Sequence, residues 1–397
     1  MATSCASGST VRPASDRHTS READADGEGE RLAHVQRRFR EFGAEYASLP
    51  LYGSVSRRVA EDPETAALLV SARPGQARPV LWFAALHDLV LRRPDVPAAR
   101  WYASVVGRDA VPEGDPWPDV RTTVLDHASE LRRLMATRTT QTNEVNRCVY
   151  VAAGLAVATV DRPDVPVALV ELGASAGLLL GVDRYAVELT SPHGSAHLGD
   201  ATSRVRCSGV DRGGVAAALD ARGAGLPDVR ARVGLDLAPV DLDDDEAVRW
   251  LEACLWPDVP GRVERFRSAR ELLRHDPPPI LAGDLVHDAS RAVDAALGQA
   301  TAGAEHVVVY SSWSLTYVER ERRVALADEL ARIATGIPRL TWFTAEPPGC
   351  VPGLPDDARA DGGPTVLGLR TWVDGTEREP QVIGVAHPHG AWVDLSL

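Results

Sequence analysis

Two patterns of apolar residues divide this chain. From 30 to 46, Leu32, Val35, Phe39, Phe42 and Tyr46 recur at steps of three and four, the stripe of an amphipathic helix. Asp62-Pro63 supplies an N-cap and a first-turn proline for a helix through residue 72. Pro79 opens another helix over 80–91, which Arg92-Arg93-Pro94 ends, and the pattern is helical again over 119–135. Residues 29–155 are expected to form a helical region without strands, and 1–28 a polar, disordered tail with no apolar signal-peptide core.

Beyond residue 160 the pattern changes to short apolar runs that end in acidic or small polar residues. Val167-Ala-Leu-Val-Glu-Leu172 reads as a strand buried on both faces. Gly173-Ala174-Ser175-Ala176-Gly177 reads as a tight turn, followed by a helix over 176–189. A short strand over 203–208 and a glycine-rich stretch make 190–228 an insertion that loops out. Further strands are predicted over 229–236, 279–284, 306–312 and 340–344, with helices over 244–256, 262–274 and 319–333. The last strands, 365–373 and 381–386, have no helix between them and are expected to be antiparallel. The fold class is therefore α/β. A Rossmann-like, mostly parallel sheet with a C-terminal antiparallel hairpin fills 160–397, and a helical region precedes it.

Composition narrows the chemistry. A net charge of −13 gives no electrostatic reason to bind a phosphate backbone, so nucleic acid is not an expected partner. No apolar run approaches the ~20 residues that span a bilayer, so no membrane partner is expected. Five scattered cysteines without a C-x-x-C argue against a disulfide framework or zinc knuckle and fit a cytoplasmic protein. The chain contains no lysine, which excludes Walker A, pyridoxal Schiff-base and lysine-assisted dehydrogenase chemistry. No metal site is expected: the acidic run Asp241-Leu-Asp-Asp-Asp-Glu246 precedes a helix and suits its dipole.

The default ligand site is the crevice at the carboxyl end of the 167–172 strand, where the turn frees backbone N–H groups. Asp236, ending the next strand, is placed to accept hydrogen bonds from ribose hydroxyls. The polar run from Arg138 to Arg147 precedes the central strand. With the helical region it is expected to form a lid that selects a small polar or carboxylate-bearing substrate. In that lid Arg138 would fork onto a carboxylate, and Glu144 would act as the base or pair with Arg147. Gly173-x-Ser175-x-Gly177 also fits the nucleophile elbow of α/β-hydrolases, with Ser175 served by His387 or His389. The helical upstream region and the acidic Glu171 favour Ser175 as a turn residue instead. A non-catalytic nucleoside-binding domain is the third reading.

Glu171-x-Gly173-x-x-x-Gly177, Gly234-Leu-Asp236, Gly283-Asp284 and Val307-Val-Val-Tyr-Ser311-Ser312 occur in the order seen in class I S-adenosylmethionine-dependent methyltransferases, which residues 165–397 resemble. The resemblance implies S-adenosylmethionine as cofactor and an unidentified small molecule as acceptor. It implies that Glu171, Gly173, Ala174, Ser175 and Gly177 hold the methionine part. Asp236 would hold ribose, Asp284 would lie by adenine, and Ser311 or Ser312 would face the substrate. Ser48-Leu-Pro-Leu-Tyr52, Gln141-Thr-Asn-Glu144, Gly173-Ala-Ser-Ala-Gly177 and Trp256-Pro257 also resemble an uncharacterised bacterial family, domain of unknown function 2332, over 30–395. That second resemblance implies no activity.

Overall fold

The computed structural model describes residues 15–141, 143–192, 194–300, 305–360 and 363–395, with side chains from residue 27 onward except at residue 358. The chain divides into two compact units, Met1–Thr142 with Ala253–Pro260, and Asn143–Glu252 with Gly261–Leu397.

The first unit is helical. Its elements are α1 (Ser15–Glu45), α2 (Tyr52–Glu61), α3 (Pro63–Ala66), α4 (Pro79–Arg92), α5 (Ala103–Val106), α6 (Trp117–Asp126) and α7 (Ala128–Thr137). The expected stripe is the buried face of α1: Val35, Phe39 and Phe42 are all buried. Phe42 and Tyr52 pack on Phe83, Tyr52 stacking at 4.0 Å between ring centroids, and Trp256 lies against Phe42, Tyr46 and Tyr52. Asp258 accepts from the N–H groups of Leu51 and Tyr52 at 3.0 and 2.8 Å, which ties the Ala253–Pro260 segment into this unit. Asp62 caps α3 as expected, accepting from the Glu64 and Thr65 N–H groups, but one α-turn gives way to a 3-10 turn over Ala67–Ser71. α1 begins at Ser15, well inside the stretch expected to be a disordered tail; residues 1–14 of that stretch lie outside the described residues.

The second unit is built on one sheet. Its strands are β1 (Val167–Leu172), β2 (Ala186–Ser191), β3 (Gly194–Gly199), β4 (Arg206–Asp211), β5 (Val229–Asp236), β6 (Ile280–Ala282), β7 (His306–Ser312), β8 (Arg339–Glu346), β9 (Thr365–Val373), β10 (Thr376–Glu377), β11 (Gln381–Ala386) and β12 (Trp392–Leu395). Its helices are α8 (Cys148–Thr159), α9 (Val215–Asp220), α10 (Asp245–Ala253), α11 (Arg262–Arg274), α12 (Ala289–Gln299) and α13 (Arg320–Ala334). The strand order is β3-β2-β4-β12-β11-β9-β8-β7-β1-β5-β6, with β10 on β9. From β6 to β8 all pairings are parallel; β8–β9 is antiparallel, and β9–β11 is too, the latter as the missing helix between 373 and 381 predicts.

Every residue of β1 is buried, because helices cover both faces. Val170, Leu172, Val233, Val309 and Trp342 pack with α12 and α13 on one side. On the other side α8 presses so closely on β8 that a Cβ on Gly154 would lie 2.2 Å from the Phe343 ring. Apart from β2–β4, which lie beyond β12, the chain adds β5 and β6 on one side of β1 and then β7 and β8 on the other, so the order reverses between β1 and β7. In open α/β sheets the carboxyl ends of the strands at such a reversal are the usual ligand position.

One expected helix is replaced. After Gly177 the chain makes a 3-10 run, Leu178–Arg184, and then β2, instead of a helix over 176–189. Gly181 packs 2.7 Å from the Tyr185 hydroxyl when its missing Cβ is built, and that hydroxyl donates to the Leu178 carbonyl at 2.6 Å, which closes the turn early. Val187 and Leu189 then alternate inward on a strand. The 190–228 stretch also differs from a loop: it supplies β3, β4 and α9, and β4 joins the sheet through β12. Among the described residues, no helix is long and apolar enough to cross a membrane.

Candidate active site at the strand order reversal

Glu171 is the fifth residue of β1, in register with Gly234 of β5 and Tyr310 of β7. It is buried, and its carboxylate accepts from the Tyr310 hydroxyl at 3.1 Å. Burial pushes its pKa up to about 8, with the nearby Asp236 adding and Tyr310 and Arg147 opposing. Gly173 follows with φ +82°; its N–H donates to the Leu235 carbonyl at 2.8 Å, and a Cβ there would lie 2.4 Å from Ser314 Cβ. Only glycine admits that approach between the turns after β1 and β7. Ser175 has φ +52° and Gly177 φ +70°, so the turn is strained at a non-glycine residue.

Asp236 ends β5 beside this turn. One carboxylate oxygen accepts from the Ser175 N–H at 2.8 Å and the other from the Ala238 N–H at 2.8 Å, so the group is oriented by backbone on both sides. Leu237, the next residue, is 74% exposed. An oriented carboxylate next to an open apolar face can receive hydroxyl donors and a flat ring together. Asp284, just after β6, is engaged differently. Arg322 contacts it at 2.5 Å and the Val286 and His287 N–H groups donate to it. Although burial acts upward, these partners hold it down to about 2.

β7 ends in Ser311 and Ser312, both buried. The Ser312 hydroxyl is 2.9 Å from the Tyr150 hydroxyl on α8. Trp313 has φ +57°, so residues just past both β1 and β7 occupy the left-handed region; its indole donates to Thr365 Oγ1 at 2.8 Å. Arg147 is buried and donates to the carbonyls of Pro388 at 3.1 Å and Ser312 at 3.4 Å, with its guanidinium 5.6 Å from the Trp313 ring centre.

Glu346, the last residue of β8, is the residue that sequence reasoning missed. It is fully buried; Oε1 accepts from Ser314 N, Ser314 Oγ and Leu315 N at 3.1, 3.4 and 3.3 Å. Oε2 has no hydrogen-bond partner among the described residues, and Ser311 Oγ likewise has none of good geometry. Burial pushes Glu346 up to about 7, opposed by the Leu315 and Ser314 N–H groups, the nearby Ser311 hydroxyl and Arg147. The same cue that singled out Glu171 and Asp236 marks it, since Glu346 closes an apolar run from Leu340.

The structure thus gathers Glu171, Gly173, Ala174, Ser175, Asp236, Ser311 and Ser312 at the ends of β1, β5 and β7. It places Glu144 elsewhere in its unit. Glu144 is buried against Arg262 and Arg265 and accepts from the Asn146 N–H, in place of the expected pairing with Arg147. Such a carboxylate, committed to two guanidinium groups, anchors α11 to the 3-10 turn Val145–Arg147. The polar run ends in that 3-10 turn, and α8 starts directly after it at Cys148. Arg138 caps the end of α7 in the first unit.

His387 and His389 sit in the turn between β11 and β12, where Asn146 Nδ2 holds the carbonyls of His389 and Gly390. Burial pushes His389 down to about 3, helped by Arg262 and Arg147, so it holds no proton near neutrality. The acids before α10 act as helix caps and ion-pair partners: Asp244 accepts from the Glu246 and Ala247 N–H groups, and Asp243 and Asp245 meet Arg274 and Arg270. Among the described residues, no group of three or more His, Cys, Asp or Glu could hold a metal ion.

No curated protein and no solved structure matches the chain. Residues 36–395 match the family described as an uncharacterized protein conserved in bacteria, domain of unknown function 2332, and the chain belongs to that family.

Proposed function

We propose that the tips of β1 and β5 bind an adenosyl nucleoside, and that the protein is an S-adenosylmethionine-dependent methyltransferase acting on a small molecule. The observation that carries this reading is Asp236, held from both sides by the N–H groups of Ser175 and Ala238 beside the exposed Leu237. A carboxylate so placed, at the end of the strand next to the order reversal, suits ribose hydroxyls, and Leu237 suits a purine face.

The fit of S-adenosylmethionine is divided. The nucleoside half matches Asp236 and Leu237, whereas Ser314 fills the space over Gly173 to which the methionine part was assigned. Asp284, assigned to adenine, is taken up by Arg322 and two backbone N–H groups. When bound, the cofactor would supply a methyl group on a sulfonium; the part of this chain is to orient the nucleoside through Asp236. Calorimetric titration with S-adenosylmethionine, S-adenosylhomocysteine and adenosine tests the reading. Saturable binding of all three supports it, binding of adenosine alone favours a nucleoside-binding domain, and binding of none removes it.

A serine hydrolase remains the second reading, favoured by the left-handed backbone of Ser175 at a strand-end turn. The helix that follows a nucleophile elbow is replaced here by a 3-10 turn. Labelling by a fluorophosphonate that Ser175→Ala abolishes would establish it.

A further inference from the structure

We propose that a cavity at the amino end of β8, between the end of α8 and the strands β9 and β11, binds a small zwitterion with an apolar side chain, of the class of the aliphatic amino acids. The site is separate from the nucleoside site and does not rest on that reading: β8 runs from Arg339 at this cavity to Glu346 at its far end. Arg339, Thr341 and Phe343 alternate on one face of β8 and pair in register with Val373, Thr371 and Leu369 of β9. α8 covers this face at Phe343 and ends at Thr159. Beyond its end lies a cavity of about 420 Å³, within the ~300–1,000 Å³ range of small-molecule sites. Val157, Val160, Leu369 and Val373 supply its apolar lining. It opens to solvent where Asp161, Arg378, Glu379 and Gln381, all exposed, complete the lining.

Charge selects the ligand. Arg339 is committed to Asp161, its two terminal nitrogens lying 3.0 and 3.2 Å from the carboxylate oxygens. Arg378 and Glu379 make no side-chain hydrogen bond or ion pair among the described residues. The Arg378 N–H donates to the Thr371 carbonyl at 2.8 Å, which fixes the backbone of this pair beside the cavity. The mouth therefore offers one unengaged guanidinium and one unengaged carboxylate above an apolar lining. A bare carboxylate would answer Arg378 and leave Glu379 unanswered, and a bare ammonium would do the reverse. A zwitterion answers both, and an aliphatic side chain fills the space between Val157, Val160, Leu369 and Val373.

The test is calorimetry on the full chain with leucine, against 3-methylbutanoate, 3-methylbutylamine and glycine, for the wild type, Arg378→Gln and Glu379→Gln. Both variants change exposed side chains and leave the apolar lining in place. Leucine should bind the wild type at least about threefold more tightly than the acid, the amine or glycine, since each of these lacks one of the three contacts. Each variant should weaken leucine by about three- to tenfold, the range for a solvent-exposed charged hydrogen bond. Arg378→Gln should also remove the advantage of leucine over the amine, and Glu379→Gln its advantage over the acid. No leucine binding in the millimolar range, equal binding of the acid, the amine or glycine to the wild type, or leucine affinity unchanged in either variant overturns the proposal. Loss of affinity in these variants places the binding at this cavity and not at the carboxyl ends of β1 and β5.

Discussion

A methyl group at position 173 would lie 2.4 Å from Ser314 Cβ on a backbone with φ +82°, so Gly173→Ala combines steric overlap with a left-handed conformation. We expect a loss of about 2–4 kcal/mol, measured by urea unfolding, part of which Ser314→Gly restores. The two buried glutamates make a second prediction. Their folded pKa values, about 8 for Glu171 and about 7 for Glu346, lie above those of an unfolded glutamate. Their stabilising contribution is therefore complete below the unfolded value of about 4.3 and is lost as pH rises through 7 and 8. The buried histidines His306 and His389, held down to about 3, act in the opposite sense at lower pH, so the difference between variants is the clean readout. Glu346→Gln should gain stability relative to wild type between about pH 5 and 7; a flat difference would refute the assignment. Glu171 and Asp236 are legible in the sequence as acids closing apolar runs. The surroundings of Glu346 are not, because they depend on where Ser314 and Leu315 fall in space.

At the scale of elements, β1, β7, β9 and β11 are readable from their apolar runs alone, and β9 and β11 from their missing helix. Their burial on at least one face makes the pattern strong. The region from Leu178 to Ser191 is not readable: its leucines suit a helix, and only the contact of Tyr185 with the Leu178 carbonyl selects a 3-10 turn followed by a strand. α8 is all apolar and buried throughout, so it lacks the amphipathic stripe by which α1 is recognised. Its packing rests on Gly154. Gly154→Ala should cost about 1–3 kcal/mol in urea unfolding, and Phe343→Leu in the same chain should recover part of it. Equal stability of Gly154→Ala and wild type would contradict the close approach of α8 to β8.

For the whole molecule, the alternation of apolar runs and helices implies an α/β sheet, but the strand order comes from long-range pairing that no local pattern encodes. β12 joins β11 to β4, and so brings the 186–211 strands onto the far edge of the sheet. The pairing of β1 with both β5 and β7 creates the reversal on which the ligand site depends. The central claim is that Asp236 holds a nucleoside at that reversal, and calorimetric titration of adenosine and S-adenosylhomocysteine into wild type and Asp236→Ala tests it most directly. The account predicts saturable binding to the wild type and at least about tenfold weaker binding to the variant, as expected when a charged hydrogen-bond acceptor is removed. Equal affinity in the two proteins, or no binding to either, would contradict it.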